Sequence, residues 1–197
     1  MPLDLAELVT VWYPTVTPDE VERVTQLVRA FCDSELAARL AALGGARVER
    51  PFAFTLDGVL LNGRLDALRF IEGAALVLDY KTNLVGDSDP AEIVETDYRI
   101  QRTVYALACL HAGATEVEVV YQFLETPEKI VTSRYTAADR EALEAELGAA
   151  IAGIRGGDFR PTPSPYACSG CPALDVICAG PRLGDSDAWL GDGVEAA

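Results

Sequence analysis

Apolar residues recur along this chain with two periods, and each change of period marks an element. Thr17-Pro18-Asp19-Glu20 brings a capping residue, a proline at the first helical position and a glutamate three places after the threonine, and Val21, Val24, Leu27, Val28 and Phe31 follow on one helical stripe. Ser34-Glu35-Leu36 opens a second short helix that Gly44-Gly45 stops. Alternation then takes over. Residues 47–54 and 59–70 read as strands joined at Asp57-Gly58, and residues 75–80, strongly apolar, read as a third strand after Gly73. Asp89-Pro90-Ala91-Glu92 starts a helix that runs through Tyr98, Gln101, Tyr105 and Ala108 to His111-Ala112-Gly113. Residues 116–124 and 129–135 are strand-like again, and Thr136 caps a final helix to about Ile154.

Helices, three strands, helix, two strands, helix is the order of an α/β fold, a mixed central sheet flanked by helices. The expected organisation is a helical lead over residues 1–44, a core over 45–160, a cysteine-rich segment over 161–182 and an acidic, flexible tail over 183–197. The cysteine-rich segment holds many prolines and few periodic apolar positions, so its order must come from something other than backbone pairing.

Composition narrows the class. With 197 residues, half of them hydrophobic, one globular domain is the natural expectation. No uninterrupted apolar run of membrane-spanning length occurs, and MPLDLAELVT lacks the basic-then-apolar layout of a signal peptide, so the expected location is the cytoplasm, away from membranes. The net charge of −15 speaks at first sight against a nucleic-acid partner, since phosphate contacts draw on lysine and arginine. Carboxylate chemistry accounts for part of it. Any DNA contact would then need a local basic patch, bound divalent cations or a partner chain.

The chemistry sits around residues 66–81. Alternation along the third strand sends Asp79 and Lys81 to one face and Tyr80 to the other. Asp66 lies on the preceding strand, and positions symmetric about a turn near Glu72-Gly73 face each other, which brings Asp66 beside Asp79. Two adjacent carboxylates repel unless a cation lies between them, and a hard divalent ion suits oxygen donors. Lys81 can then orient a water or steady phosphate charge, the outline of a phosphodiester hydrolysis site. Taken alone, Asp-x-Lys equally well ends a buried strand in a solvated turn.

The context is larger than that tripeptide. Glu49-Arg50-Pro51-Phe52, Gly63-Arg64-Leu65-Asp66, Leu78-Asp79-Tyr80-Lys81-Thr82-Asn83 and Tyr98 to Tyr105 (YRIQRTVY) occur in order and close together. Each resembles a block of the RecB-like (AddA/AddB-type) branch of the PD-(D/E)XK nucleases. The resemblance implies a restriction-endonuclease-like core and a Mg²⁺- or Mn²⁺-dependent deoxyribonuclease, an exonuclease rather than an endonuclease, acting on DNA beside a helicase in recombinational repair. It implies Asp66 and Asp79 as metal ligands with the Tyr80 carbonyl, Lys81 as the catalytic lysine, and Gln101 and Tyr105 as a Gln-x-x-x-Tyr pair lining the cleft. Tyr105 alone reads equally well as core. Glu49 occupies a family position too, with an exposed salt bridge as its plain alternative.

Such nucleases carry a histidine ligand on an upstream helix, whereas the one histidine here, His111, ends a different helix and reads as a surface residue. The family domain is therefore expected to begin upstream of this sequence. The alternative function is a catalytically impaired nuclease fold that holds DNA for a helicase–nuclease complex. Cys168, Cys171 and Cys178 repeat the C-terminal signature of iron–sulfur members of this branch, implying a 4Fe-4S cluster, with zinc as the alternative. Cys32 is the one N-terminal candidate for a fourth ligand, or else is buried beside Phe31; Cys109 between Ala108 and Leu110 reads as core.

Overall fold

Two tight turns set the register of the sheet. Asp57-Gly58 and Glu72-Gly73 have φ values of 50° and 72°, and 48° and 86°. Consecutive left-handed residues make the primed turn whose twist matches a β-hairpin, and glycine at the second position carries it without a Cβ clash. The turns close the pairs Leu56↔Val59 and Ile71↔Ala74.

A computed structural model of the chain describes residues 4–82, 85–86, 88–161, 168, 171–173 and 176–178. The elements run α1 (Leu5–Trp12), α2 (Pro18–Cys32), α3 (Glu35–Ala42), β1 (Arg47–Leu56), β2 (Val59–Ile71), β3 (Ala74–Lys81), α4 (Pro90–Asp97), α5 (Arg99–His111), β4 (Glu116–Phe123), β5 (Ile130–Thr136), a 3₁₀ turn (Ala137–Asp139) and α6 (Arg140–Arg155). The five strands lie in sequence order, antiparallel except for the parallel pair β3 and β4. A parallel pair requires a crossover, and α4 and α5 provide it. The result is the mixed, helix-flanked sheet expected from the pattern. No helix among the described residues is long and apolar enough to cross a membrane.

The chain divides into two units, Met1–Glu146 and Leu147–Ala197. In the first, one sheet face buries Ala67, Leu76, Leu78 and Val120 against Leu36 and Leu40 of α3, with Phe31 and Tyr80 at the margin. Helix α2 starts as the sequence predicts: Thr17 Oγ1 accepts from the Glu20 amide and Glu20 answers on the Thr17 amide. In the second unit Leu147 and Ile151 are buried, the Cys171 amide donates to the Cys168 carbonyl and the Cys178 amide to the Ala173 carbonyl. The acidic tail over 183–197 and most of the cysteine-rich segment lie outside the described residues.

Three local expectations change. Helix α1, absent from the periodic reading, forms because Asp4 accepts from the amides of Ala6 and Glu7; it buries none of its residues. The helix expected from Asp89 to His111 breaks at Tyr98, whose φ of −118° and ψ of 5° leave the helical range. Tertiary packing explains the break, because the buried Tyr98 ring stacks on Tyr121 of β4 at 5.7 Å. The last helix opens with the 3₁₀ turn before α6 begins.

Helix α3 is also tied to β4 by charge. Arg39 grips both oxygens of Glu118, at 2.9 and 2.8 Å, and Arg134 adds a third hydrogen bond at 3.3 Å. The Arg39 hydrogen bond is the main cause that holds the Glu118 carboxyl below its ordinary pKa. A folded pKa below the unfolded one adds stability above the unfolded value and loses it as pH falls through the folded value. Glu118→Gln is therefore expected to cost about 1 kcal/mol at neutral pH, with the difference closing in acid. Urea titrations of both proteins along a pH series check this; an undiminished difference at the acid end contradicts it.

Candidate active site

Strand β3 is buried from Ala75 to Asp79 and ends in Asp79-Tyr80-Lys81. Leu76, Leu78 and Tyr80 join the α3 face, and alternation turns Asp79 and Lys81 to the opposite face, where α5 packs. The β2–β3 register ends at Ala67↔Leu78, so one further step sets Asp66 across from Asp79. There the Tyr80 amide donates to Asp66 Oδ2 at 3.0 Å, which fixes the Asp66 carboxylate against the β3 backbone.

The functional side chains close into a ring. Lys81 Nζ donates to Gln101 Oε1 at 3.0 Å, Gln101 Nε2 donates to the Tyr105 hydroxyl at 3.0 Å, and that hydroxyl donates to Asp79 Oδ1 at 3.1 Å. Lys81 Nζ lies 2.6 Å from Asp79 Oδ2 and completes it. That last approach is a charge pair by distance, while Oδ2 receives no aligned hydrogen bond. Gln101 and Tyr105 are four apart on α5, so one helix face supplies both links. The ring also fixes the Gln101 amide, its oxygen to the ammonium and its nitrogen to the phenol.

Two further residues enter that the sequence pattern does not single out. The Tyr121 hydroxyl donates to Gln101 Oε1 at 3.3 Å, and the Tyr98 ring lies under Lys81 Nζ at 3.9 Å, a cation–π contact. Both left a trace: Tyr98 precedes Gln101 by three and Tyr105 by seven, and Tyr121 stands opposite Asp79 in the β3–β4 register.

Burial is the first cause that raises the Asp79 pKa, and the nearby charge of Asp66 adds to it, while Lys81 and the Tyr105 hydroxyl pull it down. Two carboxylates gather there against one ammonium. A dication fits this site: a buried, under-compensated carboxylate beside a second one, with hard oxygen donors. Burial, then the Asp79 charge, also raises the Tyr105 phenol, which therefore stays a donor at neutral pH.

The other expected residues are placed as follows. Glu49, at φ 49°, faces solvent with its side chain 66% exposed, 3.7 Å from Arg64, outside the ring. His111 ends α5 but is half-buried rather than a plain surface residue, because its ring stacks on Phe54 at 4.8 Å and meets Glu144 at 3.2 Å. Cys109 is core, its thiol pushed up to about 12 by burial. Cys32 is exposed, not buried, at the end of α2, and Cys168 is buried. Among the described residues no three His, Cys, Asp or Glu side chains come together as a metal-holding group.

The family model described as the PD-(D/E)XK nuclease superfamily matches residues 4–178. The chain belongs to the PD-(D/E)XK nuclease superfamily. The superfamily's name spells an acidic residue, any residue and lysine, which Asp79-Tyr80-Lys81 reproduces, while Leu65 stands before Asp66 where the name has proline. Nucleases of this superfamily typically use Mg²⁺ or Mn²⁺. The gene 69 protein of Mycobacterium phage L5 is 30% identical over 131 residues, covering 63% of this chain and 41% of that protein. Its counterpart in Mycobacterium phage D29 is 30% identical over 135 residues, covering 65% and 46%. This chain spans less than half the length of these curated relatives. Similar solved structures include SSO0001 (18% identity, TM-score 0.43, covering 89% of this chain and 80% of that one) and a candidate exonuclease from Eubacterium rectale (12%, 0.48, 95% and 74%).

Proposed function

We propose that this PD-(D/E)XK chain is a divalent-metal deoxyribonuclease module. The observation that carries the reading is the closed ring of Lys81, Gln101, Tyr105 and Asp79 beside Asp66. Asp66, Asp79 and the Tyr80 carbonyl would hold the ion, which supplies charge neutralisation and an acidified water when bound. Lys81, positioned by Asp79 and Gln101 and lying over Tyr98, places a fixed positive charge where phosphate charge develops. Tyr105 and Gln101 position Asp79 and Lys81 rather than touch the scissile bond.

The test is an assay on end-labelled linear and circular DNA with Mg²⁺, Mn²⁺ or a chelator. Metal-dependent degradation of linear DNA with circles spared is expected. Cleavage indifferent to chelator refutes the reading, and DNA binding without cleavage returns the impaired, DNA-holding module in its place. Metal should also stabilise the fold by mass action. At about a hundred times its dissociation constant, Mn²⁺ is expected to add about 2.7 kcal/mol, or roughly 5–10 °C in Tm. Asp66→Asn and Asp79→Asn should each abolish that shift in a thermal melt; a full shift in either variant removes that aspartate from the ligand set.

The finer reading is an AddA/AddB-type exonuclease working with a helicase in DNA repair in the cytoplasm, supported by the blocks around Glu49, Asp66, Asp79 and Gln101. A 4Fe-4S or zinc centre at Cys168, Cys171 and Cys178, with Cys32 as the candidate fourth ligand, rests on the resemblance to the iron–sulfur members of the branch. Iron, sulfide and zinc analysis of anaerobically prepared protein decides it.

A further inference from the structure

Beside the ring, along the hairpin of β1 and β2, lies a cavity of about 480 Å³ that the catalytic reading does not use. Its walls include Arg47, Arg50, Arg69, Phe52, Leu65 and Phe70, and no aspartate or glutamate lines it. In a chain with 31 acidic and 16 basic side chains, that is a local reversal of sign. The charge there is also uncommitted. Among the described residues none of these three arginines forms an ion pair, and Arg69 Nε is buried with no hydrogen-bond partner. Arg47 and Arg50 are exposed, so their guanidinium groups are open to an anionic oxygen.

The cavity adjoins the carboxylates. Phe52 in its wall meets Tyr105 of the ring edge-on at 6.2 Å. We infer that it binds a nucleotide of a single DNA strand next to the scissile phosphate, the arginines taking phosphate oxygens and the exposed ring of Phe70 stacking on an unpaired base. The inference rests on the nuclease reading for its location. Planar guanidinium groups suit phosphate, and aromatic faces accept any base. A cavity of this size takes a small molecule or a nucleotide, not the width of a duplex. Single-stranded DNA is therefore the substrate class the geometry favours, and the acidic surface elsewhere would repel a strand that strays from this path.

The experiment measures binding of the full-length Lys81→Ala protein, with Mg²⁺, to a fluorescein-labelled single strand of roughly 12 nucleotides across a salt series. Adding Arg47→Ala and Arg50→Ala, both exposed positions, should weaken binding about ten-fold and lower the log–log salt slope by about 0.7 for each phosphate no longer neutralised. Phe70→Ala should weaken binding of a natural strand about five-fold or more yet leave an abasic strand of equal length unaffected. An unchanged slope in the arginine variant, equal losses on both strands for Phe70→Ala, or tighter binding of duplex than of single strand would overturn the proposal. Wild-type cleavage is scored separately. An active wild type with an unchanged slope removes the cavity and keeps the nuclease, while an inactive wild type with a lowered slope does the reverse.

Discussion

Lys81→Ala is expected to lower kcat for DNA cleavage by about two to three orders of magnitude with little change in KM, the size of effect seen when one preorganised charge-stabilising donor is removed. Asp79→Ala should do at least as much and also end the metal-induced rise in Tm. The split matters, because Lys81 is the more exposed member of the pair and Asp79 the more buried, and the two should not fail alike. Gln101→Ala and Tyr105→Phe touch only the linkage, so their losses should be smaller than that of Lys81→Ala. Single-turnover assays at saturating DNA give kcat free of product release. Full activity in Lys81→Ala, or a defect confined to KM, would remove it from the role assigned.

The largest expected loss of stability lies one residue away from Asp79. Leu78 has no solvent exposure and packs with Leu36, Leu40, Ala67 and Val120. Leu78→Ala should cost about 2–5 kcal/mol, the lost transfer energy plus the cavity left behind. Against a typical total of about 5–15 kcal/mol, that brings the fold near its threshold. Denaturant titration measures it. A change under about 1 kcal/mol would mean that α3 closes onto the sheet to fill the space.

The carboxylates and the lysine were legible because they depend on short-range rules. A period of two sets the faces of Asp79, Tyr80 and Lys81, and the Glu72-Gly73 turn sets Asp66 against Asp79. The pairing of Gln101 with Tyr105 follows from helical spacing, and their hydrogen bonds to Lys81 and Asp79 place the buried Tyr105 in the ring. Tyr98 and Tyr121 were not legible, since their place depends on a parallel pairing and on a helix break that tertiary packing imposes against the periodic pattern. The arginines around the β1–β2 cavity were hidden for another reason: a net charge of −15 averages over the surface and says nothing of where the positive side chains meet. His111 and Cys32 show the limit of reading burial from an element's ends, where neighbours come from elsewhere in the chain.

The parallel pair of β3 and β4 has a consequence for when the site can exist during folding. Asp66, Asp79 and Lys81 belong to one local hairpin, which can zip from its turn at small entropic cost. Gln101, Tyr105 and Tyr121 arrive only after the crossover of α4 and α5 has closed a long loop and set β4 alongside β3. A nascent chain thus carries its charged groups early and their orientation late. If the chain cuts DNA as proposed, competence would arise with that long-range closure, and half-formed molecules would bear the acids and the lysine without the alignment that makes them a blade.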